Sequence, residues 1–174
     1  MSRPFMKNLA ASLLLLTSVI AAPVNAAKAD FEQRIKIDSD RQAADLKNKI
    51  ASYLDNVKIT QGSLVINADI VQVFGEKDSD VKVYLAKGNP ATFEQLLDDG
   101  NMINLQADEI RYEPGKNMIT ISGHALLRQQ DSQVSGSRIT YNTLTEQLSA
   151  ESDKNERVTT ILEPEIKDKN KDQN

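Results

Sequence analysis

Residues 56–70 read NVKITQGSLVINADI. Two alternating apolar stretches, Val57-x-Ile59 and Leu64-x-Ile66-x-Ala68, meet at Gln61-Gly62. Alternation with period two sends successive side chains to opposite faces of a strand. The glycine between the stretches marks a reversal, so the segment predicts a hairpin. The layout returns at residues 124–139 as HALLRQQDSQVSGSRI. An offset of 68 pairs Ile35 with Ile103, Ile37 with Leu105, Asp40 with Asp108, Ile59 with Leu127 and Gln61 with Gln129. An offset of 69 then pairs Val65 with Val134 and Ile70 with Ile139. A shorter cue, Ile37-x-Ser39-Asp40, recurs as Ile66-x-Ala68-Asp69 and Leu105-x-Ala107-Asp108. Repeated modules of this kind bury a core against their neighbours.

The rest of the chain continues the pattern. Ile35 and Ile37 share one face against Lys36 and Asp38. Strands are predicted over residues 50–60, 63–74, 81–85, 91–97, 102–112, 118–130 and 134–141. Residues 75–80 (GEKDSD) read as a charged loop, while Gly88-Asn89-Pro90 and Pro114-Gly115-Lys116-Asn117 read as turns. Asp99-Gly100 fits a type I′ hairpin, whose two central positions need φ > 0. From Ala43 to Leu54 the apolar residues also match helical spacing; the β context on both sides favours strand. Turn signals every eight to twelve residues predict an all-β fold of facing antiparallel sheets.

Arg3 and Lys7 precede an apolar run from Leu9 to Val24, and Val24-Asn25-Ala26 offers small residues for cleavage. This is the pattern of a secretory signal peptide over residues 1–26. The run is short of the roughly 20 residues that cross a bilayer. A single domain is expected over 27–164, followed by a polar, disordered tail over 165–174. The chain has no cysteine, so neither a disulfide framework nor a thiol nucleophile is available. Taking the leader's two basic residues from 21 leaves 19 against 25 acids, a net charge of −6 that disfavours polyanion binding. Trp is absent and aromatics are 5%, which is thin for stacking on sugars or bases.

Chemistry is sparse. His124 is the lone histidine and follows Gly123 in a hairpin setting, so no His-based metal site is expected. The acids around Asp38/Asp40 and Glu76/Asp78/Asp80 lack the glycine spacing of a calcium loop. No pair of carboxylates is singled out for hydrolysis, and no cofactor is implied. The informative surface is apolar: Val57, Ile59, Leu64 and Ile66 share one face with their repeat counterparts, and with Ile121 and Leu126 they are expected to line the interior. Such an interior would suit acyl chains, although a filled sandwich core is the simpler reading of the pattern alone.

Four segments carry a family resemblance: residues 33–40 (QRIKIDSD), 57–69 (VKITQGSLVINAD), 88–93 (GNPATF) and 157–164 (RVTTILEP). Together they resemble the LptA (OstA-like) family of Gram-negative lipopolysaccharide export. The resemblance implies a periplasmic, non-enzymatic protein folded as an open β-jellyroll. It further implies binding of lipid A acyl chains inside the roll, with the sugars left outside. Ile35, Ile37, Phe93 and Tyr112 match family positions of the lipid path or the N-terminal edge. End-to-end stacking is implied too, with LptC at the N-terminal edge (Arg34, Ile35, Lys36, Ile37) and LptD at the C-terminal edge (Arg157, Val158, Thr159, Thr160, Ile161, Leu162). Two rivals from other classes are an adhesive β-repeat that carries nothing and a carbohydrate-active enzyme.

Overall fold

A computed structural model describes residues 30–75, 82–154 and 156–162. The signal peptide, the charged loop after Gly75 and the polar tail lie outside these residues. The strands are β1 (Lys36–Asp38), β2 (Arg41–Asp45), β3 (Ile50–Gln61), β4 (Leu64–Gly75), β5 (Lys82–Leu96), β6 (Met102–Glu113), β7 (Met118–Gln129), β8 (Ser132–Asn142), β9 (Leu148–Glu151) and β10 (Thr159–Ile161). They form one antiparallel sheet in the order β1-β3-β4-β5-β6-β7-β8-β10, with β2 also on β3 and β9 also on β8. Among the described residues nothing pairs its two ends, so the sheet is an open meander.

A crease runs across it. The register slips between Leu54 and Val57, Asn67 and Ile70, Lys87 and Ala91, Gln106 and Glu109, and Ser122 and Ala125. Each slip is a bulge, which bends its strand and raises the local twist. Aligned, the five slips fold the long strands into two half-sheets. One contains β1 and β10, the other β2 and β9. The halves face each other: the Tyr112 hydroxyl, from one half, donates to Gln61 Oε1 in the other at 2.8 Å. The result is the expected all-β, open jellyroll of two facing sheets.

The duplication is written into the backbone. Lys49, Asp55, Asn56 and Gly62 have φ of 56°, 62°, 49° and 61°; Asn117, Gly123, His124 and Gln130, each 68 residues later, have 53°, 75°, 50° and 51°. The recurring aspartates sit on the crease. Asp40 Oδ2 accepts from Asn56 Nδ2 at 2.6 Å, and its repeat Asp108 lies 2.9 Å from Nδ1 of His124, the repeat of Asn56. A Cβ on Gly123 would lie 2.5 Å from the Asp108 carboxylate, whereas the first module holds Asp55 at the equivalent position with φ 62°. The register corrects the offset of 69: Ile59 faces Ile66 and Leu127 faces Val134, so Ile66 repeats as Val134 at 68.

Two other sequence expectations are revised, and the strand reading of residues 43–54 holds over the helical alternative. Gly88-Asn89-Pro90 is no turn; β5 runs through it, and the break is the Lys87/Ala91 slip on the crease. Bend-forming residues mark a bulge as readily as a reversal. At Asp99-Gly100 only Gly100 takes positive φ, at 84°, with the Asp99 carboxylate accepting from the Asn101 N–H at 2.8 Å; the turn is not type I′. Residues 43–54 hold the end of β2, a turn and the start of β3. Leu46, which a helical stripe would bury, is 88% exposed in that turn.

Candidate functional site: the apolar interior and its open edges

Strand alternation brings most of the expected interior residues together. Val57 and Ile59 from β3, Leu64 and Ile66 from β4, Phe93 from β5, Tyr112 from β6 and Ile121 from β7 are each at most 2% exposed and belong to one core cluster. The exception is Leu126. Its neighbours Ala125 and Leu127 are buried, whereas Leu126 faces outward opposite Gln106 and Ser135. Both leucines of the pair are apolar, so composition cannot choose between them; the pairing of Leu127 with Leu105 does. Leu126 instead lines a shallow outer depression with Thr92, Gln106 and Arg128.

Ile35 and Ile37 are half-buried and pack on the core from the β1 edge, as Tyr53 and Val73 do from β3 and β4. Ala44, Ala51, Tyr53 and Val73 floor a cavity of about 410 Å³ at that end, with Lys49 and Lys82 on its rim. At the opposite edge Val134 and Ala150 are half-buried, and Val158, Ile161 and Leu162 are exposed. The interior is therefore sealed in the middle by its own side chains and apolar at both ends.

Polar groups inside are few. Tyr112 stacks at a tilt on Tyr84, with centroids 5.9 Å apart, and burial raises the pKa of its hydroxyl well above the usual value of 10. Burial raises Tyr141 likewise, and among the described residues its hydroxyl has no partner.

Pattern reading missed Asp30, which lies before the first strand. It is 5% exposed and sits against the β3–β4 hairpin at Gly62 and Ser63. Oδ1 accepts from the Ser63 N–H at 2.7 Å, and Oδ2 accepts from the Ser63 hydroxyl at 2.5 Å and from Gln95 Nε2 at 3.2 Å. The Gln61 amide donates to the carbonyls of Phe31 and Gln33, tying this turn to the same residue that Tyr112 holds. A Cβ on Gly62 would overlap the Asp30 carboxylate. No periodicity announces such a residue, because it lies on no strand.

Of the acids weighed for metal binding, Glu76, Asp78 and Asp80 lie outside the described residues, and Asp38 and Asp40 are otherwise engaged. Asp38 pairs with Lys36 at 2.7 Å, Asp40 accepts from Asn56, and Asp108 faces His124. Among the described residues no three His, Asp or Glu side chains converge on a metal position.

Residues 36–147 match the family described as "LptA/(LptD N-terminal domain) LPS transport protein". The chain is 39% identical over 168 residues to the lipopolysaccharide export system protein LptA of Escherichia coli K12, covering 93% of this chain and 90% of that one. It is 37% identical over 163 residues to LptA of Haemophilus influenzae, covering 91% and 95%. The crystal structure of LptH, the LptA-homologous periplasmic component of the lipopolysaccharide transport device of Pseudomonas aeruginosa, superposes with a TM-score of 0.70. That alignment is 24% identical and covers 78% of this chain and 99% of that one, a likeness of fold.

Proposed function

This chain belongs to the LptA/(LptD N-terminal domain) family of lipopolysaccharide transport proteins, and from that premise we propose that it is a periplasmic bridge that carries lipopolysaccharide between the membranes. The observation that carries this reading is the interior: one apolar core spans both half-sheets and reaches two open edges. Each buried CH₂ contributes about 0.8 kcal/mol, so an acyl chain of about ten carbons gains about 8 kcal/mol before costs. Ile35, Ile37, Tyr53 and Val73 are where such a chain first meets apolar surface. Val57, Ile59, Leu64, Ile66, Phe93, Tyr112 and Ile121 line its path once the half-sheets part along the crease. The sugars stay outside, against strand faces that carry Lys58, Asn67, Thr92 and Gln106.

In this reading the leader over residues 1–26 is removed on export, and residues 27–164 act as one domain. The protein performs no bond chemistry. Its N-terminal edge, Arg34 to Ile37, meets LptC and its C-terminal edge, Arg157 to Leu162, meets LptD. Copies stack head to tail between them, because unpaired strand edges recruit further strands. Two unlike edges make a heterologous contact that propagates.

The test is a titration of the mature protein with lipopolysaccharide after loading with an apolar fluorescent dye. Displacement of dye, with lipid and protein migrating together, is the expected result. Assembly without dye uptake or lipid capture would instead leave an adhesive repeat that carries nothing.

A further inference from the structure

We propose that the joint between two copies of this chain reproduces, pair for pair, the internal joint between β5 and β6. The inference rests on the head-to-tail stacking proposed above and adds its register. The chain is two modules side by side: β1 and β2 together, β3, β4 and β5, then β6, β7, β8 and β9 with β10. The module boundary is the β5·β6 ladder. The free edges of the chain are the same two strands in their other copies. β1 and β2 take the place of β6, broken at the crease, and β9 and β10 take that of β5.

The existing ladders fix the equivalences. On one side, Ile37 faces Ile59 as Leu105 faces Leu127, and Arg41 faces Leu54 as Glu109 faces Ser122. On the other, Thr160 faces Val134 as Phe93 faces Ile66, and Glu151 faces Arg138 as Lys87 faces Ile70. Inside the chain Phe93 pairs with Leu105, Gln95 with Ile103 and Lys87 with Glu109. Carried to the free edges, these pairs become Thr160 on Ile37, Leu162 on Ile35 and Glu151 on Arg41 of the next copy.

Two features of the edges fit this register. Lys87 Nζ and Glu109 form an ion pair at 3.1 Å across the internal joint. The transferred pair, Glu151 with Arg41, is again oppositely charged, with the signs exchanged. Leu162, 71% exposed on the free chain, lands on half-buried Ile35 and would be covered. Because both half-sheets are extended at once, the apolar interior of one copy runs on into the next.

The chain has no cysteine, so introduced thiols report the register directly. Opposed antiparallel residues have Cα atoms about 4.5–5.5 Å apart, within disulfide range, whereas diagonal pairs are about 7–8 Å apart. Mature Thr160→Cys protein mixed with Ile37→Cys protein under mild oxidation should give mainly the mixed dimer. Thr160→Cys with Ile35→Cys, one inward position out of register, should give little. Glu151→Arg should weaken self-assembly about tenfold, and the added Arg41→Glu should restore it to within about twofold. Preferred crosslinking at residue 35, or failure of the charge swap to rescue, overturns the register and leaves stacking intact. If the unaltered chain does not assemble as concentration rises, the stacking reading falls as well.

Discussion

Replacing Asp30 by Ala tests the polar lock at the β3–β4 hairpin. Three donors converge on this carboxylate: the Ser63 N–H, the Ser63 hydroxyl and the Gln95 amide. A hydrogen bond to a charged group contributes about 1.5–3 kcal/mol, and a donor left buried without a partner costs about 1–3 kcal/mol. Relief of the buried charge returns part of this, which leaves a net loss of about 3 kcal/mol for Asp30→Ala. Asp30→Asn keeps an acceptor for the Ser63 N–H but sets an amide against the Gln95 amide, so about half that loss is expected. Urea unfolding of the mature protein measures the total. Amide exchange at Ser63 reads the lock itself, because that N–H has Asp30 as its partner. A change below about 0.5 kcal/mol, with Ser63 still protected from exchange, would show that Asp30 does not hold the hairpin.

Three further outcomes follow from the same structure. Tyr112 and Tyr141 have raised pKa values in the folded state, so their neutral forms are held in the core. Their contribution is complete below pH 10, and unfolding free energy should fall above it by up to about 1.4 kcal/mol per pH unit for each tyrosine; Phe at both positions should flatten the alkaline limb of a denaturation series. With a mature charge of −6, lipopolysaccharide affinity should change by no more than about twofold as salt is raised through the screening range, as followed by dye displacement. A steep loss would expose a basic headgroup site. Deleting the chain from Glu156 onward removes β10 and leaves the six long strands paired; by sedimentation the truncated protein should stay folded but no longer form long oligomers or engage its outer-membrane partner.

The long strands were legible because each buries a single face, which leaves clear alternation at residues 57–68 and 118–129. The duplication was legible at Asp40 and Asp108, but its offset drifted to 69 where Val65 and Ile66 are both apolar. The same degeneracy put Leu126 inside in place of Leu127. Apolar doublets carry no phase, and only a partner strand supplies one. The crease was hidden for another reason. Gly88-Asn89-Pro90 bends the chain as a turn would, and whether the strand then reverses or resumes on the same neighbour depends on long-range pairing. Asp30 left no trace because a buried carboxylate outside the strands has no period. Ile35, Ile37, Phe93 and Tyr112 entered the candidate site through family resemblance, and the fold places them on one continuous apolar surface.

As a lipopolysaccharide carrier, the proposed role, the protein would hold acyl chains inside the roll. Ile37 faces inward beside Ile59, and its neighbour Lys36 faces outward opposite Thr60. A photo-crosslinking residue at position 37, activated in the presence of lipopolysaccharide, should capture the lipid, while the same residue at position 36 should not. Equal capture at the two positions would contradict the account.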